Sequence, residues 1–241
     1  EPETKPELFV SESDTSKNKS PVDEVGEEWQ ASDKMLAPVL IKPPLIALAD
    51  SDDFIRAALA PLFPGLNGMG FWEPENVLQR WVTLINEVAD GHVLFKHRWF
   101  LTANSSFPVI ETENGLLLDP EGYHRFDQMV AAFTDADIDT AMVFLNENKA
   151  LMEIVFQQFS HSDVFTLNKL FLKSIDMVLA APIITDDMLV IKKMDRYYFA
   201  NPDIEGLSGI AKQMIRLGPN NTRSIQDKLK LFKARLLELA R

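Results

Sequence analysis

Residues 135–159 read DADIDTAMVFLNENKALMEIVFQQF. Asp135, Asp137 and Asp139 stand where a helix has its positive dipole end. Ile138, Met142, Leu145, Leu151, Met152, Val155, Phe156 and Phe159 then fall largely on one side. Apolar residues three and four apart put a continuous stripe on one face of a helix, so the stretch predicts one long helix from Asp135 to Phe159 with that face in a core.

The same period recurs on both sides. Upstream, Asp119-Pro120 opens a helix with Pro at its first position and Tyr123, Phe126, Met129, Val130 and Phe133 on one face. Before it, Asp50-Ser51 starts a helix through Phe54, Ile55, Ala58 and Leu59, ended by Pro61 and Pro64. Pro74 precedes another through Val77, Leu78, Trp81, Val82, Leu84, Ile85 and Val88, closed by Asp90-Gly91. Downstream, Ser162-Asp163 caps a helix that runs to Ala181, and Pro202-Asp203 begins one that ends at Gly218. Pro219 starts the last, amphipathic through Ile225, Leu229, Phe232, Leu236 and Leu239.

Two stretches break the helical pattern. Between Phe107 and Asp119, short apolar runs flank Glu113-Asn114-Gly115, and Asn-Gly favours a hairpin because both residues tolerate positive φ. Asp187 to Ala200 is rich in β-branched and aromatic residues and reads as a strand. The expected class is therefore mainly α (α+β): a multi-helix domain of about seven helices with a small β hairpin and one further short strand.

Residues 1–34 carry ten acids and four lysines among Ser, Thr and Pro, the composition of a solvated linker. Met35 to Leu45 holds three prolines and reads as an extended lead-in. The expected organisation is an acidic linker over 1–42 and one globular helical domain over 43–241. The longest uncharged run, Ala57 to Trp72, is 16 residues broken by prolines and glycines, too short and interrupted for a spanning helix. The chain starts at Glu1, and an anchor or signal is expected upstream of it.

The formal net charge is −12, and a field of that sign repels a phosphate backbone, so no nucleic-acid partner is expected. The last helix departs from the trend: six basic residues against Asp227 and Glu238 give Pro219–Arg241 a net +4, which would suit an anionic lipid surface or the acidic linker. The chain has no cysteine, which removes disulfides, thiolate metal sites and thiol nucleophiles.

Candidate chemistry is sparse. Asp90-Gly91-His92 with His97 has the residue types of a divalent metal site, though Gly91 and His92 also suit an ordinary helix end. Asp135, Asp137 and Asp139 imitate a calcium loop, but Thr140 stands where that loop needs glycine and Asn146 where it needs glutamate. Ser160-His161-Ser162-Asp163 holds the residue types of a hydrolase triad in immediate succession, where they cannot aim at one another. Gly65, Gly68 and Gly70 lack the lysine of a phosphate loop. No cofactor is expected.

The candidate binding residues are Tyr123, Arg125, Tyr197 and Tyr198, because Tyr and Arg join apolar area to directional donors. Arg216 and Asn220, with Asn221, stand at a helix–helix corner that suits an anionic group or simple capping.

Five motifs in order carry a resemblance: Pro44-Leu45 leading into Leu48-Ala49-Asp50-Ser51-Asp52; Arg80-Trp81-Val82 before Asp90-Gly91; Leu118-Asp119-Pro120 with Tyr123-His124-Arg125-Phe126; Ala180-Ala181-Pro182; and Tyr198-Phe199-Ala200-Asn201-Pro202 leading to Arg216-Leu217-Gly218-Pro219-Asn220. Over roughly residues 43–240 the chain resembles an uncharacterised proteobacterial family, domain of unknown function 3014. The resemblance implies a single-span inner-membrane protein with an acidic linker and a mainly helical periplasmic domain, and it carries over no catalytic residue. The expected function is a periplasmic, inner-membrane-tethered domain that binds another envelope protein. The alternative is a small-molecule or metal-dependent enzyme using His92, His97 or His124 with nearby carboxylates, and a third reading is a lipid-surface module using the last helix.

Overall fold

The computed structural model describes residues 46–67, 75–92, 108–159 and 165–239, all within the unit Leu40–Arg241. Among them nine helices and four strands confirm a mainly α, α+β fold, with more elements than the periodicity predicts.

α1 (Asp52–Leu62) starts as expected but runs past Pro61, which forfeits only one N–H in the last turn; Phe63 N–H then closes to Leu59 O at 3.0 Å. Asp52 does a second job. Its Oδ2 and Oδ1 accept from the backbone N–H groups of Asn76 and Val77 at 2.7 and 2.9 Å, so the first turn of α1 caps the start of α2 (Val77–Ala89). Gly91, at φ +74, closes α2 as its position after the helix requires.

β1 (Val109–Thr112) and β2 (Gly115–Leu118) form the expected hairpin, with Thr112 opposite Gly115, so the loop is Glu113-Asn114 rather than Asn114-Gly115. Of the two residues named for the turn only Gly115 has positive φ. Asp119 accepts from Glu121 N–H and opens the helix after the hairpin; its first seven residues, Pro120–Phe126, are a 3-10 helix before α3 (Asp127–Asp135).

The long helix expected from Asp135 to Phe159 is two. Asp137 is extended and its carboxylate accepts from Thr140 N–H and Oγ1, both at 2.7 Å, so it caps α4 (Ile138–Glu147). At Asn148 the backbone leaves helical values, and its N–H and Nδ2 both donate to Phe144 O before α5 (Lys149–Gln157) resumes. The apolar stripe survives because both pieces turn their faces into one core.

α6 (Leu167–Leu179) is capped by Thr166, whose Oγ1 accepts from Lys169 N–H; Ser162-Asp163, expected to cap it, lie outside the described residues. The single strand expected over Asp187–Ala200 is a hairpin, β3 (Leu189–Lys193) and β4 (Arg196–Phe199), turning at Met194-Asp195 with Met194 at φ +52. No Gly, Asn or Pro marks that turn, so the sequence pattern hides it. The helix expected from Pro202 to Gly218 is also two: α7 (Pro202–Glu205) stops at Gly206, and Ser208 caps α8 (Gly209–Leu217) through Ala211 N–H. α9 (Pro219–Leu239) completes the fold.

The strands form one antiparallel sheet in the order β1-β2-β3-β4. The main core holds Ile55, Leu59, Leu78, Val82, Val155, Leu167 and Leu170 from α1, α2, α5 and α6. Each such side chain contributes about 1.5–3 kcal/mol on burial. A second cluster joins Phe126 and Val130 to Ile210, Met214 and Leu217. A third, with Leu118, Met188, Val190, Phe199 and Ile215, lies between the sheet and α8.

α9 ties these together with polar bonds. Gln226 is buried, and its Nε2 donates to the carbonyls of Val178, Leu179 and Ala181 at 3.1, 3.3 and 2.8 Å, closing the C-terminus of α6. Thr222 Oγ1 donates to Met214 O at 2.6 Å.

Candidate functional site

Alternation along each strand gives the sheet two faces, and the register says which residues share them. Leu118, Val190 and Phe199 point to the third core cluster. The opposite face carries Ile110, Leu117, Leu189, Ile191 and Tyr198: Ile110 pairs with Leu117, Leu117 with Leu189, and Ile191 with Tyr198. Ile110, Leu189 and Ile191 are 43, 40 and 46% exposed, and Met194 at the adjoining turn is 93% exposed. All four strands thus contribute to an apolar outer face where an antiparallel sheet ordinarily turns polar residues outward.

The end of that surface is basic. Lys193 and Arg196 sit opposite each other beside Met194, and Lys193 Nζ lies 5.5 Å from the centre of the Tyr198 ring. The two tyrosines named from the sequence separate here, as neighbours on a strand must. Tyr198 is on the outer face, while Tyr197 packs half-buried against the inner cluster with Lys192 Nζ 5.8 Å from its ring centre.

Tyr123 and Arg125 come from the 3-10 segment before α3. Tyr123 packs on the third cluster, and burial, with Asp187 and Asp119 nearby, pushes its hydroxyl pKa up. The Arg125 guanidinium lies 4.7 Å from the centre of the Phe126 ring, and burial lowers its pKa. Both are partly built into the domain rather than standing off it.

The helix–helix corner divides its candidates. Asn221 Nδ2 donates to Asp127 Oδ1, Leu217 O and Tyr123 O, which is capping. Asn220 is exposed, and its carbonyl accepts from Ser224 Oγ. Arg216 lies instead above the Phe199 ring, 5.0 Å from its centre, one turn after Lys212 on α8. Facing them is Glu205 of α7, whose Oε1 accepts from Lys212 Nζ and Oε2 from Phe199 N–H, each at 2.8 Å. Burial pulls the Glu205 pKa up, but Lys212 and that N–H outweigh it and hold the carboxyl below its usual range. Neither Glu205 nor Lys212 stands out in the sequence; a Glu seven residues before a Lys across two glycines is the only trace.

The two described histidines each face a different carboxylate. His92 Nδ1 is 3.6 Å from Glu87 Oε2, and His124 Nδ1 is 2.7 Å from Asp127 Oδ2, both at exposed positions. His97 and His161 lie outside the described residues. Among the described residues, no three His, Asp or Glu side chains are placed to hold a metal ion.

On α9, Lys230 pairs with Asp227, Lys233 with Asp176, and Arg235 with Asp139 and Glu238. Three of the five basic residues of α9 are therefore paired with carboxylates of the chain itself, which weakens a lipid-surface reading. No helix among the described residues is long and apolar enough to cross a membrane.

A family model described as a protein of unknown function, DUF3014, matches residues 77–233, and the chain belongs to that family. The match spans α2 through most of α9 and so includes the whole sheet and the α7–α8 corner. No curated protein and no solved structure matches the chain.

Proposed function

We propose that this member of the domain of unknown function 3014 family is a protein-interaction domain of the bacterial envelope, docking through the outer face of its sheet. The observation that carries the reading is the exposed set Ile110, Leu189 and Ile191, aligned by strand register and continued by Met194. The occupant is an apolar segment of another envelope protein with acidic residues at one end. The apolar surface calls for the first property, and Lys193 and Arg196 at its end call for the second. The acidic stretch over residues 1–42 supports a tether that gives the domain reach from the inner membrane into the periplasm.

The test is a photo-activated cross-linker at Ile191 in living cells, with Val143, 54% exposed on α4, as the control position. The expected result is an adduct at 191 and not at 143, whose cross-linked peptide is apolar with flanking Asp or Glu and comes from an envelope protein. No adduct, equal adducts at both positions, a basic peptide or a second copy of this chain would each overturn the reading.

A further inference from the structure

We propose that the corner where α7, α8 and the end of β4 meet binds a carboxylate, with Arg216 as its principal partner. Three charged side chains converge there, and two are already matched. Glu205 receives Lys212 Nζ on Oε1 and Phe199 N–H on Oε2, and Lys212 Nζ also donates to Glu205 O, all at 2.8 Å. Arg216 donates no hydrogen bond to any described residue, and its nitrogens are not sealed from solvent.

The stacking fixes what can approach. Phe199 covers the guanidinium at 5.0 Å and leaves its N–H groups to an acceptor. A carboxylate meets them with two parallel N–H to O bonds, the geometry a guanidinium favours over any other anion pairing except phosphate. Charge decides between those two. Glu205, Lys212 and Arg216 sum to one positive charge, which a single carboxylate cancels and a phosphate dianion overshoots. Burial also lowers the Arg216 pKa while Glu205 raises it, so an added anion restores what burial removes.

A small organic acid and an acidic group on a protein chain share this chemistry. The site lies on the helix side of the sheet, because Phe199 points to the inner cluster, so it is separate from the outer face and stands or falls independently.

The experiment titrates the isotope-labelled full chain with sodium acetate, with N-acetyl-Ala-Ala bearing a free C-terminus, and with sodium chloride at equal ionic strength. The signals read are the Phe199 and Lys212 amides and the Arg216 Nε–H. The expected result is a saturable shift with at least one carboxylate and none with chloride. Acetate and the peptide acting equally assign a free acid; the peptide acting more strongly assigns a chain-borne group. Arg216→Lys keeps the charge, loses the fork and weakens the response at Phe199 about tenfold. Shifts that follow salt alone, as with chloride, overturn the proposal without any variant, and an unchanged response in Arg216→Lys overturns it as well.

Discussion

A Cβ on Gly218 would lie 2.4 Å from Cγ of Tyr123, so the tyrosine ring fills the space that the missing side chain leaves. This contact joins the 3-10 segment to the α8–α9 corner, where Gly218 also adopts φ +89. Gly218→Ala meets both a forbidden backbone and a rigid ring, and the expected loss is about 3 kcal/mol, read from urea unfolding. Tyr123→Ala in the same background relieves the clash, so the double variant is less destabilised than the two losses added.

Gln226 gives a second expectation. Gln226→Leu keeps the volume but strands the carbonyls of Leu179 and Ala181 at the end of α6 and leaves that of Val178 to backbone donors alone. The expected loss is about 2 kcal/mol, measured by thermal or urea unfolding. A variant as stable as the parent would show that water reaches those carbonyls.

His124 and Asp127 make the protein pH-sensitive at one point. The hydrogen bond to Asp127 raises the His124 pKa above 6.5, and the same bond, followed by that from Asn221, lowers Asp127 below 3.8. The histidine's contribution to stability is full below 6.5 and is lost as pH rises through its raised folded value; the aspartate's is present above 3.8 and is lost as pH falls through its lowered one. A histidine titration by NMR is expected to place His124 above 6.5, and Asp127→Asn to return it to about 6.5. An unmoved midpoint in Asp127→Asn would contradict the pairing.

Asn148 marks the break between α4 and α5. It is 1% exposed, and its Oδ1 has no hydrogen-bond partner among the described residues. Asn148→Asp removes the Nδ2 donor to Phe144 O and places a carboxylate in the core, with an expected loss of about 3 kcal/mol at neutral pH that shrinks on acidification. A pH-independent loss would contradict a buried charge as its cause.

Much of the fold is legible in the sequence where periodicity and caps agree. α2 is legible because Val77 to Val88 keeps its stripe and Asp90-Gly91 closes it. The breaks are what periodicity misses. Asp137 and Asn148 interrupt a stripe that continues on both sides, because two short helices packed on one core carry the same pattern as one long one. The β3–β4 turn at Met194 escapes for a different reason: its left-handed residue has no turn signature, and only the pairing of β3 with β4 fixes it. Of the candidate binding residues, Tyr198 reaches the outer face and Arg216 the α7–α8 corner. Glu205 and Lys212 acquire their roles only when α7 and α8 fold against each other. The outer face itself is invisible before the register of all four strands is known.

Docking at that face is read from the yield of the cross-linked envelope adduct at Leu189 in cells, compared between the parent chain and Ile191→Ser with Met194→Ser. Both positions are exposed, so folded stability is expected to stay within about 1 kcal/mol. A loss of the adduct of about tenfold with stability kept is the predicted result. An undiminished adduct in the double variant would contradict the account.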